Sequence, residues 1–281
     1  MIVRIGRALK GALVRLTGWM LVLAGSPALA APTVVSIDSC ADQYVLALAE
    51  DAQILALSPD AWLPSTYYLQ RAKTFPRHRG TLEELMLLDP DVVLSTGAGG
   101  FGLAAALDRF GVRVVRLGLA DDFNGALQSL EAAGKALETE ERAGDLAADF
   151  RRRRHALAIQ AAAERPAALY LSPSGITTGE GTFLDEVLRL AGLDNFASQK
   201  GINGWGSVGL EDLAADPPQM IIASFFDSRV GAAESWRLTS HPAARTLLDR
   251  TSTIEVPARL LSCPAWYAIE AVELIRAEAK P

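Results

Sequence analysis

The sequence predicts an α/β protein of two similar lobes, each a mainly parallel sheet flanked by helices, joined by one long helix. Three observations carry this reading. Short β-branched or apolar runs alternate with helix-spaced segments and tight turns, the pattern of a parallel sheet with helical crossovers. One phrase occurs twice: Leu82-Glu83-Glu84-Leu85, then Asp89-Pro90 and Val92-Val93-Leu94-Ser95, and again Leu210-Glu211-Asp212-Leu213, then Asp216-Pro217 and Met220-Ile221-Ile222-Ala223. Between the two copies, residues 124–164 contain no proline and are dominated by Ala, Leu, Glu and Arg, as in a helical connector.

Taken in order, the chain opens with Arg4, Arg7, Lys10 and Arg15, an apolar run from Trp19 to Ala24, and Ala28-Leu29-Ala30. This is the grammar of a secretory signal, residues 1–30, cut after Ala30. The apolar run is far shorter than the ~20 residues a membrane span needs. Residues 31–123 form the first lobe. Thr33 to Ile37 is its first strand, Ala41 to Ala49 a helix, and Ile54 to Leu57 a short strand. Leu82 to Leu88 is a helix stopped by Asp89-Pro90, and Asp91 to Ser95 a buried strand. A glycine-rich loop, a helix to Phe110 and a strand from Val112 to Leu117 complete it. Residues 124–165 are the connector, ended by Pro166. Residues 166–281 form the second lobe, with strands at Ala168 to Ser172, Met220 to Ser224 and Thr253 to Val256. Its helices are Gly181 to Ala191, Leu210 to Ala215 and Trp266 to Glu278.

Composition narrows the function. The 281 residues are 50% hydrophobic, with 33 acids, 27 bases and a formal charge of −6, which excludes a disordered chain and a nucleic-acid coat. Removing residues 1–30 takes away four bases and no acids, so the −6 becomes −10 and the mature protein is acidic. Two cysteines and three histidines exclude a zinc-ribbon array or a disulfide-dense miniprotein. Arg151 to Arg154 is read as the solvated face of a long helix rather than an anion patch.

No G-x-S-x-G elbow, H-E-x-x-H helix or Walker loop points to catalysis. Gly97-Ala98-Gly99-Gly100-Phe101-Gly102 lacks the Lys-Ser/Thr ending of a phosphate loop and is read as a tight turn beside a cleft. Gly179-Glu180-Gly181 leads into a helix whose N-terminus could face a ligand. His155 is read as solvated, His241 as a turn residue before Pro242, and His78 as a candidate cleft residue; none has metal-ligand spacing. Cys40 and Cys263 each follow a strand and precede a helix, where open α/β sheets bind ligands. A disulfide, a pair of soft contacts for a metal-bearing solute, and independent packing residues all remain open for them. Aromatics gather in the predicted strand-to-helix loops: Trp62, Tyr67, Tyr68, Phe101, Trp205, Phe225, Phe226, Trp236, Trp266 and Tyr267. Trp205, inside the flexible-looking segment Gly201 to Ser207, has no helical face to join and suits stacking on a large flat or apolar ligand.

The chain resembles the periplasmic substrate-binding proteins of ABC importers for iron chelates and cobalamin. Ser36 to Asp42, Leu82 to Ser95, Gly179 to Asn195, Trp205 to Ser224 and Cys263 to Leu274 carry the likeness, which covers the mature chain. The resemblance implies two lobes, a bridging helix and a metal chelate held in the cleft, with no cofactor of the protein's own. It also implies a partner, the permease–ATPase complex of the inner membrane, docked through one exposed glutamate per lobe. Glu83 and Glu211 match those positions. Carried over to the cleft wall are Ser39 and Cys40, Arg77 and His78, Thr96, Gly97 and Phe101, then Trp205, Cys263 and Trp266. Near Thr96 and Cys263 the chain departs from the cobalamin binder, which leaves the chelate open. The expectation is a periplasmic, monomeric solute receptor that binds no nucleic acid and is no enzyme. The competing readings are an exported thiol-dependent enzyme acting on a chelate, and a haem or metal-ion receptor of related architecture.

Overall fold

A computed structural model describes residues 31–100, 102–159, 165–172, 175–224 and 250–279. The predicted signal segment lies outside them. The first sheet holds β1 (Val34–Ser36), β2 (Ile54–Ala56), β3 (Val92–Ser95) and β4 (Val114–Arg116), all parallel, in the order β2-β1-β3-β4. The second holds β5 (Ala167–Leu171), β7 (Asp194–Asn195), β9 (Met220–Ala223) and β10 (Ser252–Glu255), again all parallel, in the order β7-β5-β9-β10. Matched strand for strand, the two orders are the same. The repeated phrase is therefore one copy of a shared topology: its helix is α3 (Leu82–Leu88) in the first lobe and α9 (Leu210–Ala215) in the second, each running into the equivalent strand, β3 or β9.

Period-two burial explains why the strands read as continuous apolar runs. Val34 and Leu94 point into the largest core cluster, while Val35 and Val93 point to the opposite face against Leu85 and Leu107. In the second lobe Leu169 and Ile221 face Leu213 and Phe196, while Ala168 and Ile222 face the large cluster. Both faces of each sheet are covered, as parallel sheets require.

The large cluster belongs to both lobes. It collects α1 (Ser39–Leu48), α5 (Phe123–Leu137), α6 (Glu140–Ile159), α7 (Phe183–Leu190) and α11 (Ile269–Glu278). Phe123 on α5 meets Phe150 on α6 at 4.9 Å and Phe183 on α7 at 4.7 Å. The remaining helices are short: α2 (Leu69–Ala72), α4 (Leu103–Arg109), α8 (Phe196–Gln199) and α10 (Ala258–Leu261).

The connector differs from the sequence expectation in one respect. Residues 124–165 do not form a single rod: α5 ends at Glu138, which adopts a left-handed φ of 58°, and α6 makes the crossing between lobes. The two helices pack closely because Gly134 has no side chain; a Cβ there would lie 2.6 Å from that of Ala143. The arginine run on α6 is also not a merely solvated face. Arg151 pairs with Glu131 at 3.3 Å, Arg152 with Asp149 at 2.8 Å, Arg153 with Glu273 at 2.5 Å and Arg154 with Glu186 at 2.9 Å. Three of the four reach other helices, α5, α11 and α7.

A second seam joins the lobes on the side of α1. Cys40 and Cys263 form a disulfide, with Cα atoms 5.5 Å apart. Tyr44 packs on Trp266 at 5.2 Å, Tyr67 stacks on Tyr267 at 4.1 Å, and the Tyr67 hydroxyl donates to Glu270 at 2.6 Å. The C-terminal segment of the second lobe thus completes the core of the first.

Candidate functional site

In each sheet the chain leaves its first strand in opposite directions, to β2 and β3 or to β7 and β9. The loops after the central strands diverge there and open a crevice at the carboxyl edge. In the first lobe that crevice is a cavity of about 180 Å³, walled by Asp38, Ser39, Pro59, Gly80 and the Ala98-Gly99-Gly100 turn.

Three buried groups hold the wall in place. Asp38 caps α1, accepting from the Ala41 N–H at 2.8 Å. It also accepts from the Thr96 N–H at 2.8 Å, the Thr96 hydroxyl at 2.6 Å and the Ser95 hydroxyl at 3.1 Å, which binds the loop after β1 to the loop after β3. Asp42 accepts from the Ser36 hydroxyl, the Ser58 N–H at 2.9 Å and the Ser58 hydroxyl at 2.6 Å, which binds in the loop after β2. Burial outweighs those donors and pushes the Asp42 carboxyl up to about 6. His78 accepts from the Gly80 N–H through Nδ1 at 2.9 Å. Nε2 therefore carries the proton and donates to the Ser36 carbonyl at 2.8 Å. Burial lowers the His78 pKa against the pull of that carbonyl.

The predicted contacts divide accordingly. Ser39 is half-buried and lines the cavity, and Gly97 is exposed with a φ of 81° that favours glycine. Gly100 lies against β1, where a Cβ would come 3.0 Å from the Ile37 carbonyl oxygen. Arg77 is exposed on the rim, its guanidinium 4.0 Å above the Trp62 ring and donating to the Pro59 carbonyl at 2.6 Å. Thr96 and His78 are buried, with their polar atoms engaged beneath the wall. Cys40, Cys263 and Trp266 are buried as well. Each is 4% exposed, the sulfurs are bonded to each other, and the indole is packed on Tyr44 and Tyr267. Phe101, Phe225, Phe226, Trp236 and His241 lie outside the described residues. Asp38 and Asp42 escape selection from sequence, because their partners lie up to 58 residues away.

Trp205 lies in the second lobe, in a form the sequence does not suggest. Its segment is not a flexible loop but an antiparallel ribbon: β8 (Trp205–Gly206) pairs with β6 (Thr177–Thr178), with Trp205 opposite Thr178. Beyond the pair, the Gly179 N–H donates to the Gly204 carbonyl at 2.8 Å and the Glu180 N–H to the Ile202 carbonyl at 3.1 Å. Gly179 is obligatory, since a Cβ there would sit 1.8 Å from the Ile202 oxygen. The backbone is pinned while the indole remains 69% exposed.

Glu83 and Glu211 are each the second residue of their helix and are exposed; among the described residues neither forms an ion pair. Because α3 and α9 run against the strands they precede, both glutamates sit at the carboxyl edges of the sheets, the side on which the crevice opens. Buried Leu85 and Leu213 fix the two helices to Val93 and Ile221.

Residues 34–273 match the family described as periplasmic binding protein. No curated protein matches the chain. Solved structures do. The possible iron-binding (periplasmic solute-binding) protein of Staphylococcus epidermidis ATCC 12228 is 15% identical with a TM-score of 0.70, over 89% of this chain and 99% of that one. The periplasmic heme-binding protein RhuT of Roseiflexus sp. RS-1 is 20% identical with a TM-score of 0.68, over 89% of this chain and 100% of that one. The periplasmic vitamin B12 binding protein BtuF of Vibrio cholerae is 22% identical with a TM-score of 0.67, over 88% of this chain and 96% of that one.

Proposed function

The chain belongs to the periplasmic binding protein family, and on that premise we propose that it is the solute receptor of an ABC importer for a metal chelate. The cargo is a ferric siderophore, haem or a corrinoid, and the receptor carries it unchanged to the inner-membrane permease. The observation that carries this reading is the duplicated sheet, with a pinned crevice in one lobe and a fixed, solvent-facing indole in the other. Such a site binds by desolvating a bulky, partly apolar solute between preformed walls, so little conformational entropy is lost on capture. The solved structures of similar fold include heme-binding and vitamin B12 binding proteins, which supports a large chelate over a small ion.

The wall contacts are Ser39, Gly97 and Trp205, with Arg77 offering a cation at the rim to an anionic chelate. Glu83 and Glu211 dock on basic groups of the permease, one per lobe, over the mouth of the crevice. The protein works as a monomer in the periplasm after its leader is cut behind Ala30. A thiol-dependent enzyme would need a free sulfur, and both cysteines are in the disulfide.

Native mass spectrometry of protein taken from its own periplasm, with an absorbance spectrum of the same sample, tests the reading. The expected result is a stoichiometric chelate whose colour leaves with its mass on denaturation. A receptor that copurifies with a sugar or an amino acid, or that converts its solute, overturns it.

A further inference from the structure

We propose that the outer face of α3 is an apolar foot for the permease and that docking is therefore lopsided. This rests on the docking role given to Glu83 and goes beyond it. Five of the seven residues of α3 are apolar, more than one buried stripe requires. Leu85 is buried and Leu82 and Leu88 pack beside it against the outer face of the first sheet. Leu87 is left 87% exposed, the most exposed large apolar side chain among the described residues, and Met86 is 38% exposed. Positions 83, 86 and 87 stand at i, i+3 and i+4, so the free carboxylate and the two apolar side chains share one helical face.

The second lobe lacks this feature. With Leu82 matched to Leu210 and Leu85 to Leu213, the positions of Met86 and Leu87 are Ala214 and Ala215. Glutamates are duplicated; the apolar surface is not. The occupant has a basic group for Glu83 beside an apolar recess for Leu87. A second copy of this chain does not fit that description. Self-pairing through this face would bring Glu83 against Glu83 in a protein that is acidic overall. In the permease complex the first lobe adds a contact that salt does not weaken, whereas the second relies on a screened charge pair.

The test is binding of the receptor to its permease–ATPase complex in lipid nanodiscs, read as affinity and as stimulated ATP hydrolysis at low and high salt. Leu87→Ser is expected to weaken binding about tenfold at both salt levels. Glu211→Gln is expected to weaken it at low salt only, and Ala215→Leu to strengthen it. Leu87→Ser melts like the parent, because the side chain touches little of its own fold. Should Leu87→Ser bind as the parent while Glu83→Arg with Glu211→Arg abolishes binding, the apolar foot is wrong and the docking role stands. Should the double charge reversal also bind as the parent, the docking role itself falls. If the parent sediments as a dimer and Leu87→Ser as a monomer, the face belongs to a second copy and the proposal is overturned.

Discussion

The two lobes share a strand order and finish their crevices differently. In the first, the wall is pinned by carboxylates and an imidazole: Asp38, Asp42 and His78 tie three loops together from beneath. In the second, an amide does the equivalent work. Asn195 donates to the Thr178 carbonyl at 2.9 Å and to Asp185 at 3.0 Å, and accepts from the Ala197 N–H at 3.1 Å, which locks the Trp205 ribbon to α7 and α8. One wall is held by two aspartates and a histidine, the other by an amide that leans on the buried carboxylate of Asp185. In the first, burial shifts Asp42 upward and His78 downward.

The severest way to break this comparison is to uncouple the lobes. Reduction of the disulfide, or Cys40→Ser, releases a loop of 223 residues in the unfolded chain. The chain-entropy model puts the loss near ~5 kcal/mol. Denaturant midpoints with and without reductant measure it, and an unchanged midpoint would show that the aromatic seam suffices. Next in size is the contrast of anchors. Asp38→Ala uncaps α1 and also strands three buried donors, the Thr96 N–H and the Thr96 and Ser95 hydroxyls, at about 3 kcal/mol; Asn195→Ala strands three groups in all and costs about 2 kcal/mol. Chelate affinity falls in both, and an Asn195→Ala variant that outranks Asp38→Ala would make Asn195 the stronger anchor.

A pH series sharpens the comparison further. Folded Asp42 keeps a proton that the unfolded chain has lost between its ordinary 3.8 and about 6, so its contribution favours folding at low pH and is lost as pH rises through 6. The full effect is about 3 kcal/mol. His78 opposes it. Its folded pKa is lowered, so the unfolded chain binds its proton first and stability falls as pH drops below about 6.5. The parent therefore shows a shallow profile where the two overlap. Asp42→Asn exposes the histidine slope, with stability rising with pH; a flat profile in that variant would mean that His78 does not report. Asn195→Ala leaves the shape of the profile unchanged.

The smallest expected effect is on the open wall. Trp205→Ala removes a ring that touches little of the protein, so stability holds while chelate affinity falls by about 1–2 kcal/mol, roughly tenfold. Isothermal titration with the chelate identified from the native sample measures it. An equal loss of stability would place the indole in the core.

Much of the fold was legible because it is written locally. β-branched runs mark the strands, Asp-Pro pairs stop α3 and α9, and the duplicated phrase discloses the two lobes. The break at Glu138 was not, because Glu138-Thr139 sits in good helix-forming composition and only the packing of Ala143 on Gly134 shows the turn. The ribbon was hidden for another reason: strands of two residues have no period to read. Ser39, Arg77 and Trp205 stand out as candidates in the sequence, whereas the groups that support the crevice do not. Asp38, Asp42 and Asn195 act through partners brought together by the sheet, and a lone Asp or Asn in sequence looks like a turn residue.

The packing of Tyr44 and Tyr67 on Trp266 and Tyr267 has a consequence for biogenesis. Rings from the beginning of the chain find their mates only near its end. A nascent polypeptide thus cannot seal its leading half while the tail is still on the ribosome, and an incomplete product stays loose. For a chain destined to thread a narrow translocon, late closure is an asset: it delays compaction until the whole length has emerged on the far side.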